Sequence, residues 1–156
     1  MKTLRATMSL ALLLIMITAC AQKVTFPSLA NQDGITNIYV NKFMIGNIGK
    51  SGGLPGNIPD SLVKKLDSIE VITADENPQV TLIRDTVKEY INANKQLEVV
   101  LNVNDDGDNV TIYGLPVEGS DVYSKLIMYI VDEDGDTVLI VMNGKFNPED
   151  LNSISI

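Results

Sequence analysis

Two features of this 156-residue chain could do chemistry: a single thiol and a pair of aspartate-rich segments. Cys20 is the sole cysteine, so it has no disulfide partner within the chain, and it stands where an apolar run, residues 10–17, has just ended. A thiol at that point is suited to alkylation by a membrane lipid. The plainer alternative is a cysteine incidental to an ordinary secretory signal. The aspartates fall in Asn104-Asp105-Asp106-Gly107-Asp108-Asn109 and Asp132-Glu133-Asp134-Gly135-Asp136. Oxygen ligands at alternating positions before a glycine suit a calcium loop, which also needs a bidentate acid at its twelfth position. Asn102, Asn104 and Asp106 take positions one, three and five, and Gly107 takes six, but position twelve is Tyr113. The second segment puts Ile130 at position one, where it cannot ligate. Each segment alone therefore reads as a turn. A weak calcium site would need Asp105, Asp106 and Asp108 to meet Asp132, Asp134 and Asp136 at one end of the fold.

Histidine is absent. That removes Ser-His-Asp and Cys-His catalysis, and the side chain that titrates near neutrality. With the one cysteine given over to lipid, the usual zinc ligands are missing too. Gly46, Gly49, Gly52, Gly53 and Gly56 precede no Lys-Ser/Thr pair, so they read as a loop and not as a phosphate cradle. Two carboxylates at a set separation could still hydrolyse a glycoside. Such sites usually stack sugars on aromatic rings, however, and the chain has no tryptophan. Arg84 sits beside Asp85 and one turn before Lys88, which reads as a solvated helix face in preference to an anion clamp. No catalytic residue and no cofactor is expected.

The elements that must position these residues begin after a targeting segment. Lys2 and Arg5 form its positive start. Its apolar core is too short to cross a bilayer, which takes roughly 20 apolar residues. It ends in Ile17-Thr18-Ala19-Cys20, which resembles the lipobox read by lipoprotein signal peptidase. Residues 1–19 are then a signal peptide, residues 20–26 a lipidated tether, and residues 27–156 a single α+β domain. At about 0.8 kcal/mol per buried methylene, two or three acyl chains make such an anchor effectively permanent. Without Lys2 and Arg5, ten basic residues face 20 acidic ones, a net charge of −10. A surface that acidic repels phosphate backbones and argues against nucleic acid.

Within the domain, residues 26–32 suggest one or two helical turns stopped by Asp33-Gly34, and residues 35–41 alternate as a strand with Ile38 and Val40 on one side. Residues 46–59 carry five glycines and two prolines and suggest a loop. Asp60 or Ser61 caps an expected helix through Ser68, with Leu62, Val63, Leu66 and Ile69 on one face, followed by a short strand Val71-Ile72-Thr73. Asn77 as N-cap and Pro78 at the first helical position open the clearest helix. Its stripe is Val80, Ile83, Val87, Tyr90 and Ile91, and Asn94-Lys95 closes it. Residues 97–103 with 110–113, and 125–131 with 137–142, read as two hairpins around Asp-Gly turns, offset by 28 residues from Gly107 to Gly135. A last helix over residues 146–154 would be capped by Asn147. The order predicts an α+β fold: one mainly antiparallel sheet with two to three helices packed on one face, a two-layer sandwich.

Three segments and the lipobox start together resemble an uncharacterised domain family of small predicted lipoproteins from Bacteroides-like bacteria. They are Gly34-Ile35-Thr36-Asn37-Ile38-Tyr39-Val40, Lys65-Leu66-Asp67-Ser68-Ile69, and Val103-Asn104-Asp105-Asp106-Gly107-Asp108-Asn109-Val110-Thr111-Ile112-Tyr113. The resemblance spans nearly the whole mature chain. It implies an envelope location, hints at sigma-factor-linked envelope signalling, and carries over no catalytic residue. In that group, surface-exported lipoproteins carry acidic residues directly after the cysteine. Ala21-Gln22-Lys23-Val24-Thr25 has none, which implies an outer-membrane anchor with the domain facing the periplasm. Asp60-Ser61-Leu62, Asp67-Ser68-Ile69, Asp85-Thr86-Val87 and Asp136-Thr137-Val138 resemble the O-glycosylation site of the same group, although turns and helix caps explain the pattern as well.

The expected function is a non-catalytic interaction or sensory-accessory domain held at the membrane through lipid on Cys20. A carboxylate-based hydrolase of envelope glycans or lipids and a weak calcium-binding protein are the alternatives. Both faces of the last hairpin are apolar. Met128, Ile130, Leu139 and Val141, or the opposite set, would meet a second copy of the chain or an envelope protein, unless the hairpin is sandwiched within one chain.

Overall fold

The computed structural model describes residues 24–48 and 60–151. The expectations for the signal segment, for Cys20, for most of the glycine-rich loop and for the end of the last helix lie outside the described residues. In chain order the elements are β1 (Thr36–Asn41), α1 (Lys42–Ile48), α2 (Asp60–Val63), β2 (Leu66–Ala74), α3 (Gln79–Ala93), β3 (Glu98–Asp105), β4 (Asp108–Pro116), β5 (Tyr123–Val131), β6 (Thr137–Phe146) and α4 (Pro148–Leu151). Among the described residues the six strands form one sheet in the order β1-β2-β6-β5-β4-β3, with every neighbouring pair antiparallel. The expected α+β class with a mainly antiparallel sheet is what the chain adopts. No helix among the described residues is long and apolar enough to cross a membrane.

The two hairpins form where the Asp-Gly turns place them, but by different turns. Asp105 pairs with Asp108 across the two residues Asp106 and Gly107, both at positive φ (45° and 104°), as a type I′ turn requires. The second hairpin closes over five residues, since Val131 pairs with Thr137 and only Gly135 takes a positive φ. The 28-residue offset therefore repeats composition and not turn geometry.

Three segments differ from expectation. Residues 26–32 are hydrogen-bonded turns and not helix, with the Leu29 N–H donating to the Phe26 carbonyl at 3.0 Å and both side chains buried. The glycine-rich stretch starts inside a helix. Asn41 Oδ1 accepts the Met44 N–H at 3.1 Å, an N-cap that begins α1 at Lys42 and carries it past Gly46 to Ile48. The helix expected through Ser68 stops at Val63, and Leu66, Ser68 and Ile69 belong to β2. β2 pairs with β1 on one side and β6 on the other, so both rows of its backbone groups find partners, which a short helix there could not supply.

Helix α3 starts one residue later than expected. Pro78 takes the cap position, while Asn77 accepts a hydrogen bond from the Thr81 hydroxyl. Asn94 closes α3, donating through its backbone and its side chain to the Tyr90 carbonyl. The last expected helix is confined to α4 within the described residues. Phe146 completes β6, and Asp150 Oδ2 accepts the Asn147 N–H at 2.7 Å, half of a capping box.

Alternate residues of each central strand enter different apolar clusters, so the sheet is covered on both faces. Ile72, Ala74, Ile127, Leu139 and Val141 pack with Phe26, Leu29 and the Ile83–Val87 stripe of α3. Ile69, Val71, Met128, Met142 and Phe146 pack with Ile45 of α1 and Leu62 of α2. This corrects the expectation of an exposed patch on the last hairpin. Its register pairs Met128 with Ile140 and Ile130 with Val138, so Leu139 and Val141 lie on the face opposite Met128 and Ile130. Leu139 and Val141 are fully buried, Met128 is buried, and Ile130 packs partly buried against the second cluster. The hairpin is sandwiched within one chain because α3 with the N-terminal turns covers one face, and the short helices cover the other.

Candidate functional site

On the face beneath α3, the register brings three polar residues into one row across three strands. Ser68 of β2 pairs with Asn143 of β6, which pairs with Lys125 of β5. Their neighbours along the same face, such as Ile72, Ile127 and Val141, are apolar and buried. The row is tied together from above. Asn143 Nδ2 donates to Ser68 Oγ at 3.0 Å, and Lys125 Nζ donates to the Tyr90 hydroxyl at 3.1 Å and to Thr25 Oγ1 at 3.4 Å. Tyr90 comes from the last turns of α3, and its ring lies 5.6 Å from the Lys125 ammonium, within reach of a cation–π attraction. Among the described residues Lys125 makes no ion pair.

The neighbouring Glu70 is a buried carboxylate, 1% exposed. Its Oε2 accepts the Thr25 backbone N–H at 2.8 Å and its Oε1 accepts Asn37 Nδ2 at 3.2 Å. Burying a charge is costly unless hydrogen bonds replace its water, and here they do. The effect is to fasten the N-terminal segment to the sheet, with the Phe26 ring stacked at a tilt on Tyr90, centroids 4.9 Å apart. The fastened segment, the polar row and Tyr39 enclose a groove of about 600 Å³. Its lining carries an ammonium, an amide, four hydroxyls and, at its edge, the Asp67 carboxylate, so it suits a polar group. Glu70 is already engaged and acts as a clamp on the chain.

A second groove, of about 590 Å³, opens between the β4–β5 turn and α4 and carries Glu98, Asp121 and Glu149. The Tyr123 hydroxyl donates to Glu98 Oε1 at 2.7 Å, and that hydrogen bond is the largest of the effects that push the Tyr123 pKa above its ordinary value.

The aspartate tips do meet at one end of the sheet. Asp108 Oδ1, on the first tip, accepts the Glu133 backbone N–H of the second at 3.1 Å, and a Cβ on Gly107 would touch Glu133. Asp132 Oδ1 is engaged by the backbone N–H groups of Asp134 and Asp136, at 3.0 and 2.9 Å. Asp105, Asp106 and Asp134 are exposed. Crowding is felt at Asp136, whose pKa is raised by lost hydration and then by the charges of Asp132, Asp75 and Asp134. Among the described residues no group of three or more acidic, histidine or cysteine side chains could hold a metal ion. The tips are brought together, and the carboxylates of Asp108 and Asp132 are taken up by backbone donors.

Arg84 pairs with Asp85 at 3.1 Å on an exposed helix face, as its sequence context suggests. Of the four glycosylation-like tripeptides, only Ser61 has an exposed acceptor; Thr86 is half-buried, and Ser68 and Thr137 are buried. The polar row escaped the sequence reading because its members lie 18 and 57 residues apart and only strand register joins them. The one available signal was a polar residue at an inward position of each strand.

Residues 28–154 match the family model DUF4252, a domain of unknown function. No curated protein and no solved structure matches the chain at a significant level.

Proposed function

We propose, for a chain that belongs to the DUF4252 family, a membrane-anchored envelope lipoprotein whose domain binds a partner and does not catalyse. Lipid on Cys20 supplies the anchor, at the outer membrane and on its periplasmic side. The observation that carries the binding reading is the groove over Ser68, Asn143 and Lys125, a polar lining whose ammonium makes no ion pair among the described residues. It adjoins Thr25, five residues beyond Cys20, so a ligand seated there would meet the chain at its point of attachment.

Two variants test the two parts. Cys20→Ala should move the protein from the detergent-extracted membrane fraction to the soluble fraction with the domain still folded; a variant that stays in the membrane removes the anchor reading. Crosslinking in native membranes should capture a partner that Lys125→Ala loses. Capture unaffected by Lys125→Ala would show that the groove is not the binding surface.

A second reading, a carboxylate hydrolase of envelope glycans or lipids, draws on the groove of Glu98, Asp121 and Glu149. Cleavage of a peptidoglycan or phospholipid substrate by the purified protein, lost in Glu149→Gln, would replace the binding reading.

A further inference from the structure

The two ends of the sheet differ in charge and in exposed apolar surface. At one end lie the turn directly before β1 (Asp33-Gly34-Ile35), the β2–α3 link and both hairpin tips. These hold Asp33, then Asp75 and Glu76, then seven more carboxylates on the tips, which is half of the chain's 20 acidic residues, and no lysine or arginine. At the other end lie α1, α2, the α3–β3 link, the β4–β5 turn and α4. Six lysines cluster there, Lys42, Lys64, Lys65, Lys95, Lys125 and Lys145, against seven acidic residues, so that end is close to neutral.

The exposed large apolar side chains follow the same division. Phe43 (77% exposed) and Met44 (47%) on α1, Val117 (40%) in the β4–β5 turn and Val99 (59%) near the start of β3 all belong to the near-neutral end. Of the remaining two, Ile38 sits in mid-β1, and Leu82, in the first turn of α3 beside Asp33, is the single exposed large apolar side chain towards the acidic end among the described residues.

The attachment point belongs to the near-neutral end as well. Val24 and Thr25 line the groove with Lys125, Asp67 and Ser68, and Asp67 is ion-paired at 2.7 Å with Lys42, the residue before Phe43. From Cys20 to Val24 the chain spans at most roughly 14 Å, at about 3.5 Å per residue. A nine-residue strand such as β5 is roughly 30 Å long. The tether is therefore shorter than the domain, and it holds one end close to the lipid.

We infer that the end bearing Phe43, Met44 and Val117 rests on the bilayer that receives the Cys20 lipid, and that the acidic tips point away from it. This rests on the anchor reading above. The apolar side chains enter the interfacial layer, where aromatic and basic residues are favoured. Anionic lipid repels the ten-carboxylate end and leaves the near-neutral end free to approach.

The test uses the full lipidated chain in vesicles of phosphatidylethanolamine and phosphatidylglycerol. The protein has no tryptophan, so Phe43→Trp, Val117→Trp and Asp134→Trp each introduce a single fluorophore. The first two should shift to shorter wavelength and lose intensity with acyl-brominated lipid, and Asp134→Trp should do neither. Protein that floats with the vesicles while all three probes report water overturns the orientation and leaves the anchor standing. A response from Asp134→Trp alone overturns it by reversal. Protein that does not float with vesicles overturns the anchor and the orientation together.

Discussion

The Thr25 backbone N–H and the Glu70 carboxylate, 45 residues apart, are joined by a 2.8 Å hydrogen bond in a setting where Glu70 is almost wholly buried. Removing the acceptor strands the Thr25 donor and the Asn37 amide together. Glu70→Ala should cost about 2 kcal/mol in denaturant unfolding and speed amide exchange at Thr25 and Phe26, while Glu70→Gln, which keeps an acceptor, should cost less. Equal losses in the two variants would mean that the clamp is not what Glu70 contributes.

The hairpin of β5 and β6 is buried on both faces, so it should not tolerate charge on either. Leu139→Lys and Met128→Lys should each prevent folding, read as lost thermal transitions. Phe43→Lys, at an exposed position, should change stability by less than about 0.5 kcal/mol.

Stability near the tips should depend on pH. The raised pKa of Asp136 means that its folded form holds a proton more tightly than its unfolded form. Ionisation therefore weighs against folding at neutral pH, and the penalty is relieved as pH falls through the folded-state pKa. Asp136→Asn should raise Tm at pH 7, with the gain shrinking in the acid range where both forms are neutral. A gain independent of pH would point to a cause other than charge.

Calcium at millimolar concentration should shift Tm by less than about 2 °C, because weak sites stabilise little by mass action and Asp108 and Asp132 already hold backbone donors. A larger rise, abolished by Asp106→Ala or Asp134→Ala, would establish a shared site at the tips.

Two glycines should respond in opposite ways. A Cβ on Gly144 would collide with the Lys65 carbonyl and the Phe146 ring, so Gly144→Ala should lose roughly 2 kcal/mol through overpacking. Gly46 lies in α1 with open space around it, and Gly46→Ala should gain about 0.5–1 kcal/mol from helix propensity. Both are read from chemical denaturation.

What was legible in the sequence was local. Asp106-Gly107 and Gly135 between β-branched runs announce their hairpins, and the Val80–Ile83–Val87 spacing announces α3. The strand at Val71-Ile72-Thr73 is legible, but the first part of β2 reads as helix because Leu62, Val63, Leu66 and Ile69 fall at helical intervals, while a strand buried on both faces loses its alternation. α1 was missed because Gly46 lowers helix propensity, and its start depends on one cap from Asn41. The groove was out of reach for another reason. Nothing near Lys125 in sequence specifies Asn143 or Ser68, and the burial of Glu70 follows from what folds over it.

The pairing of β2 with β6 also bears on how the chain reaches its native state. Leu66 sits against Gly144 and Ala74 against Thr137, so this seam of the sheet joins residues 63 to 78 positions apart. The meander from β3 to β6 involves only near neighbours and can assemble early, whereas β1 and β2 must wait for the last strand before they have a place to dock. Contacts so distant in sequence slow folding through the entropy of closing the intervening loop. In a chain emerging amino end first, β1 and β2 would thus stay undocked until β6 is free.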